Sequence, residues 1–156
     1  MAAEIDQGEA IERLAQQGEI IEQFYRNCAR KFPEARQLFL HIANEESGHA
    51  DILRNLKAKL ISEEVSIADN RFKNRTVLSA IESIYELITK TINGKIDTLK
   101  QAMISALEVE QALLEKEIFQ AFKHDSPELA AILQKVAHET QQHQNSLAEA
   151  IKKLDG

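Results

Sequence analysis

Apolar residues return every three or four positions through two pairs of long stretches, the spacing that keeps side chains on one face of an α-helix. The first pair runs from about Glu9 to Lys31 and from Glu34 to Leu60, divided by Pro33, which sits where a first helical turn needs no backbone N–H. The second pair runs from about Lys95 to Lys123 and then to near Leu154, divided by Asp125-Ser126-Pro127. Each pair predicts a helical hairpin. Between them, 61–75 is polar and irregular, and Thr76 to Thr91 reads as a short amphipathic helix closed by Asn93-Gly94. The expected fold is all-α, an antiparallel four-helix bundle of two hairpins at about 9–60 and 95–154. A long crossover at about 61–94, containing the short extra helix, joins them within one domain spanning 1–156.

Composition supports a folded chain and narrows its partners. With 156 residues, 44% of them hydrophobic and only five Gly and two Pro, the chain is long enough to bury a core without crosslinks. A net charge of -6 argues against nucleic acid or an anionic membrane as partner, since both need a basic face. Cys28 is the single cysteine, which excludes a disulfide framework or a Cys-x-x-Cys metal site within the chain and fits a reducing, cytoplasmic setting. Met1 to Ala10 is acidic and lacks an apolar core, so neither a signal peptide nor a membrane anchor is expected there, and no transmembrane segment is expected elsewhere.

The chemistry lies in a polar interruption of the apolar stripes. In the second helix the stripe reads Ala35, Phe39, Ile42, Glu46, His49, Leu53, Leu56, Leu60, and in the last helix Leu129, Leu133, Val136, Thr140, His143, Leu147, Ala150, Leu154. The two series are related by an offset of 94, which also places Ala43 on Ala137 and Glu45 on Glu139. In the third helix Leu99, Met103, Ala106, Glu110, Leu113 and Glu117 share one face, which points Glu110 inward, while Glu108 and Glu115 project to solvent. A buried Glu and His one turn apart need a cation or a hydrogen-bond network. Such a network would join Glu46 and His49 to each other or to Tyr25.

Glu46-Ser47-Gly48-His49 resembles the Glu-x-x-His of the ferritin-like and rubrerythrin-like family, and Ala102 to Glu110 resembles its third helix, rich in small residues and ending in Glu. The resemblance implies a ferritin-like bundle holding iron or manganese between the helices, with Glu46, His49, Glu110 and His143 on ligand positions. Two positions depart from the family pattern: Thr140 stands where the fourth helix would bring its Glu, and Gly18 where the first helix would bring a carboxylate. Glu22, one turn beyond Gly18, and Glu139, beside Thr140, are the reserve ligands. This nitrogen and oxygen set suits iron, manganese or zinc, one ion more readily than two.

Two functions follow from the resemblance. One is a non-haem iron or manganese oxidoreductase acting on O2 or peroxide, which needs a separate redox partner because one cysteine cannot build a rubredoxin centre. The alternative is a non-catalytic ferritin-like module with a structural metal or none, acting through self-association or a protein partner. Ile20 and Phe24 lie off the main stripe and offer either a homodimer contact or cover for the crossover segment. His41, His124 and His138 read as surface residues, and Cys28 as a small apolar filler.

Overall fold

The computed structural model describes residues 7–67, 75–112, 122–123 and 126–155. Five helices occur among them: α1 (Gln7–Lys31), α2 (Arg36–Ile61), α3 (Arg75–Asn93), α4 (Leu99–Ala112) and α5 (Pro127–Asp155). Proline-led 3-10 turn Pro33–Ala35 reverses the chain between α1 and α2, which pack along their lengths as the first hairpin. Helices α4 and α5 pack as the second, and α2 meets α5 across the bundle. The helical bundle of two hairpins expected from the stripes is the one observed.

Local chemistry sets several boundaries differently from the apolar pattern. The third bundle helix starts at Leu99 rather than Lys95 because Thr98 and Gln101 form a capping box. Thr98 Oγ1 accepts from the Gln101 N–H at 3.1 Å, while Gln101 Oε1 accepts from the N–H groups of Asp97 and Thr98 at 2.9 and 3.2 Å. Ser126 Oγ caps α5 in the same manner, accepting from the Leu129 N–H at 3.2 Å. At the other end of α2, Glu63 adopts a left-handed φ of 65°, stopping the helix just past Ser62.

Two further corrections concern the segments between hairpins. Ser66–Ile67, within the stretch read as irregular, pairs antiparallel with Phe122–Lys123, which the apolar pattern had assigned to the end of a helix running from 95 to 123. Inter-strand backbone bonds replace the helical ones at that point, an outcome that pairing partners distant in sequence decide. The stretch 113–121, with Leu113, Glu115 and Glu117, lies outside the described residues, as do His124, Asp125 and the first six residues.

Helix α3 lies against α1. Ile84 and Ile88 of α3 join Phe24, with Ile20 packed alongside, so of the two roles open to that pair the structure shows cover by the crossover helix. Phe24 is 5% exposed and Ile88 1%, leaving α1 with two buried faces instead of one. No described helix is long and apolar enough to cross a membrane.

The core is divided in two. One cluster gathers Ile11, Leu14, Leu53, Leu56, Leu133 and Val136, and the other Ile21, Tyr25, Phe39, Ile42, Met103, Ala106 and Leu147. Between them lies a layer of buried polar side chains, Glu46, His49, Glu110, Thr140 and His143, each at most 3% exposed. Each fully buried Leu or Ile stabilises by about 1.5–3 kcal/mol, and these two apolar blocks hold the polar layer at fixed depth.

The caps carry a direct expectation. Thr98→Ala removes the side-chain acceptor for the Gln101 N–H in the first turn of α4 and lowers stability by about 1 kcal/mol, read as a shift of the urea midpoint at constant slope.

Candidate metal centre

Three helices deliver the polar layer. Glu46 and His49, one turn apart, project from the same face of α2, Glu110 comes from α4 and His143 from α5. Glu46, Glu110 and His143 each offer a ligand atom, and these atoms all lie within 4.8 Å of one another. His143 Nδ1 lies 3.4 Å from Glu46 Oε1 and 3.4 Å from Glu110 Oε1. Those separations attract charge but exceed a direct hydrogen bond, so Nδ1 has no hydrogen-bond partner among the described residues. The same holds for Glu110 Oε2. Its other oxygen accepts a 2.9 Å hydrogen bond from the Tyr25 hydroxyl, which arrives from α1.

Each histidine is held from behind by a glutamate of the opposite hairpin. His49 Nε2 lies 3.0 Å from Glu139 Oε1, and His143 Nε2 lies 2.8 Å from Glu45 Oε1. The two rings stack with centroids 5.9 Å apart and planes 22° from parallel. With Nε2 of both rings engaged by carboxylates, Nδ1 is the ring atom that can donate to a metal, the outer-shell arrangement that fixes tautomer and orientation in metal sites. The offset of 94 relates Glu45 to Glu139 and His49 to His143, so the two pairs are copies of each other crossed between hairpins.

The remaining expected residues take other roles. Thr140 is buried, but its hydroxyl donates to the Val136 carbonyl of its own helix at 2.9 Å. Glu22 is held by Arg26 at 2.8 Å and lies outside the three-residue cluster. Gly18 is buried and supplies no side-chain donor. Glu139, read as a reserve ligand, faces His49 Nε2. Glu45 was not singled out by the stripes because it sits beside Glu46 at their edge. Its alignment with Glu139 under the offset was the available signal.

Electrostatics follow from this packing. Burial opposes a charge on His143, yet the carboxylates of Glu110 and Glu46, each 3.4 Å from Nδ1, outweigh it and raise its pKa from 6.5 to about 11. Without metal, the imidazolium itself serves as the cation that lets two carboxylates remain buried. For Glu45, burial pushes the pKa up, but bonds from His143 and Glu139 and the charges of His143 and His41 prevail and lower it. Burial, followed by the Glu110 and Glu46 charges, pushes the Tyr25 hydroxyl well above its usual value, so it stays a proton donor. Burial likewise lifts the Cys28 thiol to about 11, in keeping with an inert apolar role.

Two carboxylates, an imidazole Nδ1 and buried acceptor and donor atoms without hydrogen bonds form a donor set that fits a divalent transition metal. A family model for rubrerythrin matches residues 15–126. This chain belongs to the rubrerythrin family. The match includes Glu46, His49 and Glu110 and ends before α5, so in this rubrerythrin-family chain His143 and Glu139 enter the site through geometry. No curated protein and no solved structure shows a significant match to the chain.

The charge on His143 sets a pH expectation. Its folded pKa lies above the ordinary value, so its ion-pair contribution is complete below 6.5 and is lost as pH rises toward 11. In metal-free protein, side-chain nitrogen NMR should show His143 as imidazolium across that interval. Glu46→Gln combined with Glu110→Gln should bring the titration down. A neutral ring at pH 7 in the parent would contradict this electrostatic account.

Proposed function

We propose that this rubrerythrin-family chain binds one iron or manganese ion per chain, with zinc as a possible substitute, through Glu46, Glu110, His143 and His49. We propose further that it acts as a non-haem oxidoreductase on O2 or peroxide. The observation that carries the reading is the convergence of Glu46, Glu110 and His143 Nδ1 in a buried layer where Glu110 Oε2 and His143 Nδ1 have no hydrogen bond.

The chain's own residues have separable tasks in this reading. Glu46 and Glu110 supply the negative charge that holds a dication, and both histidines supply Nδ1, kept in orientation by Glu139 and Glu45. Tyr25 donates to Glu110 Oε1, the oxygen that also lies 3.4 Å from His143 Nδ1, and so fixes the carboxylate beside the imidazole. The two apolar blocks on either side exclude bulk water and keep these interactions strong. A bound iron or manganese ion supplies one-electron redox chemistry and a coordination position for O2 or peroxide. Electrons come from a separate redox partner, because Cys28 is the single cysteine in these 156 residues. The proposal includes a homodimer as the working assembly in the cytoplasm, and a net charge of -6 supports neither nucleic acid nor an anionic membrane as partner.

A second reading has its own support. Gly18 provides no donor and the Thr140 hydroxyl is spent on Val136, so two of the expected ligand positions are lost. A bundle with this reduced set would retain a structural metal, or none, and act by association.

Elemental analysis of protein purified without chelator tests the metal reading. One iron or manganese per chain is expected in the parent, with loss in His143→Ala and in His49→Ala. No metal even after anaerobic reconstitution would sink it. Peroxide consumption by loaded protein with a reductant separates the two readings, since metal without turnover leaves the structural module standing. Glu139→Gln should retain the fold while weakening metal affinity about 10–100-fold, measured by competition with a chromogenic chelator.

A further inference from the structure

The net charge of -6 is not evenly spread. An open pocket of ≈ 450 Å³ at the α1–α2 turn is lined by Arg26, Ala29, Arg30, Pro33, Arg36 and Leu40, three guanidinium groups and, among the described residues, no acid. Their charges are unequally compensated. Arg26 is paired with Glu22 at 2.8 Å and donates to Asn44 Oδ1 at 3.0 Å. Arg30 bonds Asn27, a neutral amide. The Arg36 side chain has no hydrogen bond or ion pair among the described residues. Glu34, in the turn itself, is exposed and outside the pocket wall.

Like charges gathered around one cavity repel, and an oxyanion relieves that repulsion by accepting from several guanidinium forks at once. The charges on Arg30 and Arg36, neither paired with an acid among the described residues, match a dianion. Ala29, Pro33 and Leu40 give the pocket an apolar part, and its volume exceeds that of a bare phosphate, leaving room for an organic substituent. The same end of the bundle carries Lys31, which donates to the Ile96 carbonyl, and Lys100, which pairs with Asp155. Asp155 offsets Lys100, so of these two it is Lys31 that adds to a field favouring an approaching anion.

We propose that this pocket is an oxyanion site that takes the phosphate group of a phosphorylated small molecule, independently of the metal centre. Calorimetric titration of the full chain with inorganic phosphate and with phenyl phosphate, at constant ionic strength set by sodium chloride, tests it. Saturable binding at one site per chain is expected, tighter for phenyl phosphate than for inorganic phosphate. Arg30→Ala and Arg36→Ala should each weaken it about tenfold or more, the effect of losing a charge-assisted hydrogen bond. Lys135→Ala, exposed on α5 toward the opposite end of the bundle, should bind as the parent does. Arg36→Gln, which keeps the length of the exposed side chain, provides a second variant, and circular dichroism confirms that each variant is folded. Absence of saturable binding, parental affinity in the arginine variants, or equal weakening by Lys135→Ala would overturn the site. Equal affinity for the two probes would overturn its assignment to a phosphorylated molecule and leave a site for the free ion.

Discussion

Burying Glu46 and Glu110 beside one another, both nearly inaccessible to solvent, is the constraint on which the rest of this structure depends. Two carboxylates at that depth would repel and lose hydration, at a cost of several kcal/mol per ion, unless a cation sits between them. The His143 imidazolium, 3.4 Å from each, fills that role when no metal is bound. A metal-binding reading and an electrostatic reading of the layer are therefore two solutions of one problem. Either cation bridges α2, α4 and α5, so the polar layer ties the two hairpins together where the apolar core is interrupted.

Internal symmetry explains how a single layer can be assembled from two hairpins. Each hairpin contributes a His to the interior and a Glu that supports the other hairpin's His, giving the crossed pairs His49 with Glu139 and His143 with Glu45. Such a crossed arrangement forms only when the hairpins face each other in register, so it couples site geometry to hairpin docking. The symmetry is incomplete at the atoms that matter most for metal: Glu46 is matched by Thr140, whose hydroxyl returns to its own helix. The site is lopsided toward α2, and Tyr25 on α1 adds a hydrogen bond to Glu110 where Gly18 adds no donor.

The crossover helix has a structural task of its own. By covering Phe24 and Ile20 it gives α1 a second apolar contact surface, distinct from the one facing the bundle interior. On the hydrophilic side of α1, Arg54 of α2 ties to Glu12 at 3.0 Å and to Glu19 at 2.7 Å, closing the first hairpin along its edge. Exposed pairs of this kind each contribute less than about 1 kcal/mol, so they set register more than stability. The ordered first hairpin then presents Glu46 and His49 at one height.

Periodicity alone settled the helical class, the pairing of stripes and the inward direction of Glu46, His49, Glu110 and His143, because a 3.6-residue repeat fixes which side chains share a face. It placed the turns at Pro33 and at Ser126-Pro127, whose chemistry is local. It did not fix the third helix's true start, although Thr98 and Gln101 carried the signal, nor the pairing of Ser66–Ile67 with Phe122–Lys123, which depends on partners far apart in the chain. Only the tertiary structure decided that Glu45 and Glu139 support histidines across the bundle, that Glu22 belongs to Arg26, and that Tyr25 holds Glu110. A helical repeat gives direction around one axis. Which atoms come within bonding distance depends on the rotation and height of neighbouring helices, set by packing of the two apolar blocks and by the charges they enclose.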